Sequence, residues 1–169
     1  METIYEQSVS TPVGRLTVRC SERGLRELLL NGGASRRRDG VVQANGQRSA
    51  GARWTHQAAR ELEEYFAGKR QQFDVPFDVE GTPFQMKVWR ALQTIPYGET
   101  RSYGDIARQV GCPRGARAVG MANHDNPIAI VVPCHRVIAT GGGLGGYGGG
   151  LKMKSYLLWH EQQHSGRAR

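Results

Sequence analysis

The sequence predicts an α+β chain in two parts, an N-terminal α/β part over residues 1–80 and a mostly helical part over residues 81–169. Three observations carry this. Residues 1–30 read as a strand meander broken by turns, and Arg15 to Cys20 alternates with the period of two that marks a half-buried strand. From Gly81 apolar residues recur at helical spacing, in short runs punctuated by Gly and Pro. The charge changes at the same place. Residues 1–80 hold 12 basic and 11 acidic side chains, net +1, whereas residues 81–169 hold 11 and 4, net +7. The 169-residue chain carries +8, and 19 of its 23 basic residues are Arg. Arginine favours bidentate phosphate recognition, so the second half is expected to meet a polyanion.

In order along the chain, Ile4 to Val9 reads as a strand, and Pro12-Val13-Gly14 as a turn. Arg15 to Cys20 alternates, with Leu16, Val18 and Cys20 on one face. Leu25 to Leu30 is a third strand. Residues 31–52 have no period and are rich in Gly, Arg, Asn and Ser, so a long mobile loop is expected there. Arg36-Arg37-Arg38 within it reads as a solvated charge run. Trp54 to Phe66 has helical spacing, with Gly68 at the C-cap. Phe73 to Val79 alternates, and Pro76 makes it an edge strand.

The second half opens with a helix from Phe84 to Thr94 and a turn at Pro96-Tyr97-Gly98. Ser102 and Asp105 form a capping box for a helix ending at Gly111. Pro113 is placed as the first residue of a third helix, running to about Ala122 and bearing Arg114 and Arg117. Two short helices joined by a turn match helix-turn-helix spacing. Ile128 to Val132 reads as a buried strand, followed by Pro133-Cys134-His135-Arg136. Eight of the ten residues 141–150 are Gly, a lid or hairpin that approaches a ligand closely. A last helix starts near Leu151.

Composition excludes several classes. Hydrophobic residues make up 38% and charged residues 22%, which suits a packed core and not disorder. The longest apolar run is strand-sized, so no membrane span is expected. Met1 to Glu6 lacks the basic and apolar regions of a signal peptide. Cys20, Cys112 and Cys134 lie far apart and make neither a disulfide framework nor a CxxC site. A cytoplasmic location is therefore expected.

Chemistry concentrates around Cys134. The thiolate is the reactive form of cysteine, and neighbouring His or Arg lowers its pKa. On an extended strand Cys134 and His135 would face opposite sides, so they cooperate only if the chain bends or a water links them. Glu161 could orient the imidazole, giving nucleophile, base and orienter. His160-Glu161-Gln162-Gln163-His164 also matches the zinc-protease spacing H-E-x-x-H. The five residues after His164 offer no third ligand, so no metal is expected.

Ile130-Val131-Val132-Pro133-Cys134-His135-Arg136-Val137-Ile138 resembles the active-site signature of the O6-alkylguanine-DNA alkyltransferases. So do Pro96-Tyr97-Gly98-Glu99-Thr100, Arg117-Ala118-Val119-Gly120, Gly146-Tyr147 and Leu157-Leu158-Trp159-His160-Glu161. The resemblance spans Gly81 to Glu161 in order and spacing, and extends more weakly over residues 1–30 and 54–79. It implies a ribonuclease-H-like N-terminal domain and a winged-helix-like C-terminal domain. It also implies single-turnover, irreversible transfer of an alkyl group from O6 of guanine, less efficiently from O4 of thymine, to the protein's own cysteine. No cofactor is implied. The partner is double-stranded DNA with the damaged base flipped out, bound by a monomer.

By position, the resemblance makes Cys134 the acceptor. His135 deprotonates it through water, Glu161 orients His135, and Asn126 is the hinge before the active-site segment. Tyr103 protonates guanine N3. Arg117 is the finger that replaces the base, from a helix in the minor groove. Ala118, Gly120, Arg114 and Thr140 are further DNA contacts. The main chain at Val132, Cys134 and Val137, with Tyr147 and Gly148 in the lid, defines the base pocket. Some members hold a structural zinc through N-terminal Cys and His; Cys20 has no such partners. Gly148 stands where the family often has Ser, which implies a looser lid that admits bulkier adducts. A non-catalytic module that binds alkylated DNA is the alternative, and Cys134 argues against it.

Overall fold

A computed structural model describes residues 2–35 and 40–166. The expectation for Arg36-Arg37-Arg38 lies outside the described residues. The chain divides into two units, Met1–Val79 and Glu80–Arg169.

The first unit is a four-stranded sheet with one helix. Strands β1 (Thr3–Thr11), β2 (Gly14–Cys20), β3 (Leu25–Leu30) and β4 (Gly40–Gln43) lie in the order β3-β2-β1-β4. β2 pairs antiparallel with both β1 and β3, and β4 runs parallel to β1. Part of the expected 31–52 loop is therefore strand: Val41 and Val42 sit opposite Ile4 and Tyr5. Helix α1 (Ala50–Phe66) also begins before Trp54, because Ser49 caps it by accepting from Ala52 N at 3.2 Å. Its second residue is Gly51, where a Cβ would lie 2.4 Å from the Tyr5 ring, so a side chain there would push the helix off the sheet. Thr55, Ala58, Ala59, Leu62 and Tyr65 make its buried face. It ends in a Schellman motif, with Gly68 N–H donating to Tyr65 O and Lys69 N–H to Glu64 O.

The strand expected over Phe73 to Val79 is absent. Glu61, 1% exposed on α1, accepts from Asp74 N at 2.8 Å and Val75 N at 3.1 Å. A side-chain carboxylate thus takes the donors a neighbouring strand would use. Only Phe77 bridges to Leu25.

Two buried arginines of this unit are paired at home. Arg19 meets Glu27 at 3.2 Å and Glu6 at 3.6 Å, and Arg26 meets Glu2 and Asp78. Both guanidinium side chains are 4% exposed.

The second unit is helical around a two-stranded parallel pair. It contains α2 (Pro83–Leu92), β5 (Arg101–Ser102), α3 (Tyr103–Gln109), α4 (Ala116–His124), β6 (Val137–Ile138) and α5 (Leu151–His164). Thr82 with Gln85, and Ser102 with Asp105, form capping boxes. α3 and α4 are the helix-turn-helix pair. Trp89 on α2 donates to Ala122 O at 2.9 Å, fixing α2 against α4. α4 starts three residues after Pro113; Gly115 is its N-cap and provides no side-chain bond. Pro113 and Arg114 therefore belong to the turn.

Ile128 to Val132 is also not a strand. Asn126 Oδ1 accepts from Ile128 N at 3.0 Å, and its Nδ2 donates to Val132 O at 2.9 Å. Val132 N–H closes back on Ile128 O, and Ile130 has φ 74°. One asparagine side chain holds both ends of a tight, buried loop. No helix among the described residues is long and apolar enough to cross a membrane.

Candidate active site

Pro133 leaves the Asn126 loop, and Cys134–Arg136 forms one turn of 3-10 helix. Arg136 N–H donates to Pro133 O at 3.0 Å. This is the bend that Cys134 and His135 need, since an extended chain would send them to opposite faces.

Behind the turn lies a buried network from α5. His135 Nε2 is 2.6 Å from Glu161 Oε2. Arg136 Nε donates to Glu161 Oε1 at 2.7 Å and Nη2 to Oε2 at 3.1 Å, while Nη1 donates to Ile95 O at 2.8 Å. Burial alone would raise the Glu161 pKa, but His135 and Arg136 hold it well below the usual carboxylate range. Burial pushes the His135 pKa down against the pull of Glu161, so the imidazole is neutral. A neutral imidazole bound to a carboxylate carries its proton on Nε2. That leaves Nδ1 as the lone-pair nitrogen, and it has no hydrogen-bond partner among the described residues.

Cys134 is 6% exposed. Burial raises its thiol pKa, and hydrogen bonding from Asn126 and the positive charge of Lys154 oppose that rise. Asn126 therefore serves twice, closing the loop and facing the sulfur. Tyr103, half-buried at the start of α3, has its pKa raised by burial and by the charge of Cys134, against a backbone hydrogen bond at Gly146. The lid is tight there: a Cβ on Gly145, whose φ is +71°, would come within 2.7 Å of the Tyr103 hydroxyl.

Lys154 was not singled out by sequence. It is fully buried, and its Nζ donates to Val137 O at 2.6 Å, Leu144 O at 2.5 Å and Gly146 O at 3.1 Å. Nζ also stands 5.8 Å from the Tyr103 ring centre. The signal was present: Lys154, Leu157 and Glu161 share one face of α5 at helical spacing.

A cavity of about 600 Å³ opens beside Cys134, lined among others by Tyr103, Arg117, Gly120, Tyr147 and Gly148. It brings Cys134, the α3 tyrosine, the α4 arginine and the lid together. Asn123, Met121 and His124 of α4 also line it and were missed by sequence. Val132 and Val137 are buried at 2% and 0% and are not among the residues lining the cavity, which leaves a base pocket their main chain. Ala118, Arg114 and Thr140 are exposed and do not line the cavity. A Cβ at Gly148 would meet nothing within 4 Å, so a serine there fits.

His164 Nδ1 lies 2.8 Å from His160 O, and His160 stacks on Tyr156. Glu161 between them is engaged by His135 and Arg136. Among the described residues no three His, Cys, Asp or Glu side chains cluster as metal ligands.

Residues 4–79 match the family model for the ribonuclease-like domain of 6-O-methylguanine DNA methyltransferase, and residues 83–163 match that for its DNA binding domain. A methylated-DNA–protein-cysteine methyltransferase of Methanosarcina barkeri is 43% identical over 161 residues, 95% of this chain and 99% of that protein. The chain belongs to the 6-O-methylguanine DNA methyltransferase family. Another family member, from Mycolicibacterium paratuberculosis, is 63% identical over 108 residues, 64% of this chain and 66% of that protein's length. The family member Mycobacterium tuberculosis OGT, solved in complex with DNA, is 44% identical with a TM-score of 0.83, covering 96% of this chain and 94% of that one. The expected pairing of a ribonuclease-like domain with a DNA-binding domain is the family's architecture.

Proposed function

We propose that this chain repairs DNA by direct reversal, moving an alkyl group, chiefly methyl, from O6 of guanine to Cys134. Transfer from O4 of thymine is slower. The observation that carries this reading is a buried cysteine at the floor of a cavity whose far wall is the second helix of a helix-turn-helix. Double-stranded DNA containing O6-alkylguanine is the partner, a monomer acts in the cytoplasm, and no cofactor takes part.

The step balances as a displacement. His135 Nδ1 accepts the thiol proton through a bound water, and Glu161 stabilises the imidazolium that forms. The sulfur attacks the alkyl carbon, the C–O6 bond breaks, and its electron pair passes into the guanine. Tyr103 protonates N3, which suits a phenol kept neutral by burial. The thioether is stable, so each molecule acts once. Asn126 holds the loop that aims Cys134. Tyr147, Gly148 and the main chain of Val132 and Val137 receive the base, while Arg117 fills the gap it leaves. Ala118, Gly120, Arg114 and Thr140 lie along the minor-groove surface.

Intact mass after incubation with an O6-methylguanine duplex tests this. One added methyl, about 14 Da, is expected on Cys134. No gain, or a gain retained by Cys134→Ala, overturns it. Arg117→Ala is expected to slow repair in duplex about tenfold or more relative to reaction with free O6-benzylguanine, because only the duplex reaction requires extrusion of a base. Equal slowing of both reactions would remove Arg117 from the extrusion step.

A further inference from the structure

The cavity wall carries polar groups that the proposed transfer of a methyl group leaves unused. Asn123 lies six residues beyond Arg117 on α4 and lines the cavity with Cys134. Both polar atoms of its carboxamide are buried, and neither has a hydrogen-bond partner among the described residues. The hydroxyl of Tyr147, on the lid, is in the same condition and lines the same cavity. Buried donors and acceptors are nearly always paired, and an orphan needs an explanation. Two orphans in one cavity point to a ligand that pairs them. In the proposed reaction the guanine occupies this cavity of about 600 Å³ with its N3 at Tyr103, and its methyl group has no polar atom to offer either orphan.

We propose that this cavity selects O6-alkyl groups with a hydrogen-bonding end, such as hydroxyalkyl or carboxyalkyl, and that Asn123 is the specificity-determining residue. The inference rests on the alkyl-transfer reading and deepens it by naming the substrate class. The bond changes are those of methyl transfer: sulfur bonds to the α-carbon, the C–O6 bond breaks, and the base takes a proton. Only the far end of the alkyl group differs. A hydroxyl there both donates and accepts, and a carboxamide offers one group of each kind. A site built around buried polar groups rejects the apolar isostere, because the substrate then leaves those groups unpaired.

The test uses two duplexes that differ by one group, O6-(2-hydroxyethyl)guanine and O6-propylguanine, each compared with O6-methylguanine. Single-turnover rates are read from intact mass. The wild-type chain is expected to favour hydroxyethyl over propyl by roughly fivefold, the worth of one buried hydrogen bond. Asn123→Leu, of similar size, should bring that ratio to one or below, and Asn123→Ala should do the same if the leucine variant fails to fold. A wild-type ratio at or below one overturns the proposal. So does a ratio unchanged in the variants, including the case where all three substrates slow equally, which would assign Asn123 to the base itself. A wild-type chain that gains no mass from any duplex sinks the alkyl-transfer reading, a different failure from transfer without preference.

Discussion

Glu161→Gln is expected to destabilise the chain by about 3–5 kcal/mol, the usual result of removing one partner from a buried ion pair. Arg136 would be left as a buried cation, 7% exposed, facing a neutral amide. Thermal unfolding reads the loss directly. The pH dependence adds a second check. Glu161 has a lower pKa folded than unfolded, where it is near 4.5. Its contribution is therefore complete above that value and is lost as pH falls through the lower folded value. His135, held neutral by burial, acts with the same sign from about 6.5 downward, because the unfolded chain takes up the proton first. The gap between wild type and variant should thus be widest near neutrality and narrow in acid. Alkyl transfer should slow by on the order of a hundredfold, since the imidazole loses its orienting anion. A variant with unchanged unfolding and unchanged rate would show that the network neither supports the fold nor serves the chemistry.

Lys154→Met should also have a large effect. Methionine fits the length of the lysine stem but leaves three carbonyls, at Val137, Leu144 and Gly146, without their donor. An unpaired buried acceptor costs about 1–3 kcal/mol, and two of the three lie in the glycine-rich lid, which can turn to water. About 2–3 kcal/mol is the expected net loss, with faster proteolysis between residues 141 and 150. The positive charge that lowers the Cys134 thiol pKa also goes. Alkylation of Cys134 by iodoacetamide should then need a higher pH than in the wild type. An unshifted pH profile would mean that Lys154 holds the lid without acting on the sulfur. Arginine is not expected to rescue, because its planar fork cannot occupy the site of a compact ammonium.

The parts of the fold legible in the sequence were those with a local cause. The capping box at Ser102, the alternation of β2 and the Gly68 stop each follow from neighbouring residues. The misreadings share the opposite character. Ile128 to Val132 is apolar because it is buried, and burial alone does not separate a strand from a loop tied by Asn126. Phe73 to Val79 alternates like a strand, yet Glu61, more than ten residues earlier, takes its donors. β4, β5 and β6 are too short to show a period. At the site, motif resemblance reached Cys134, His135, Glu161, Tyr103 and Arg117. It did not reach Lys154 or Asn123, whose significance lies in burial and in partners gained or missing, and neither is written in local spacing.

Glu61 has one more effect, on how the molecule behaves in company. β3 is an outer strand of the first sheet, and an open outer strand is a template on which a second chain can polymerise. The segment after α1 is held by Glu61 at residues 74 and 75 and next exchanges hydrogen bonds with Leu25 through Pro76 O and Asp78 N. Gly24 permits that approach, since a Cβ there would stand 2.3 Å from Pro76 O. Pro76 has no N–H to offer a newcomer. The border is shielded by a strip that cannot itself become the next border, which favours colloidal stability.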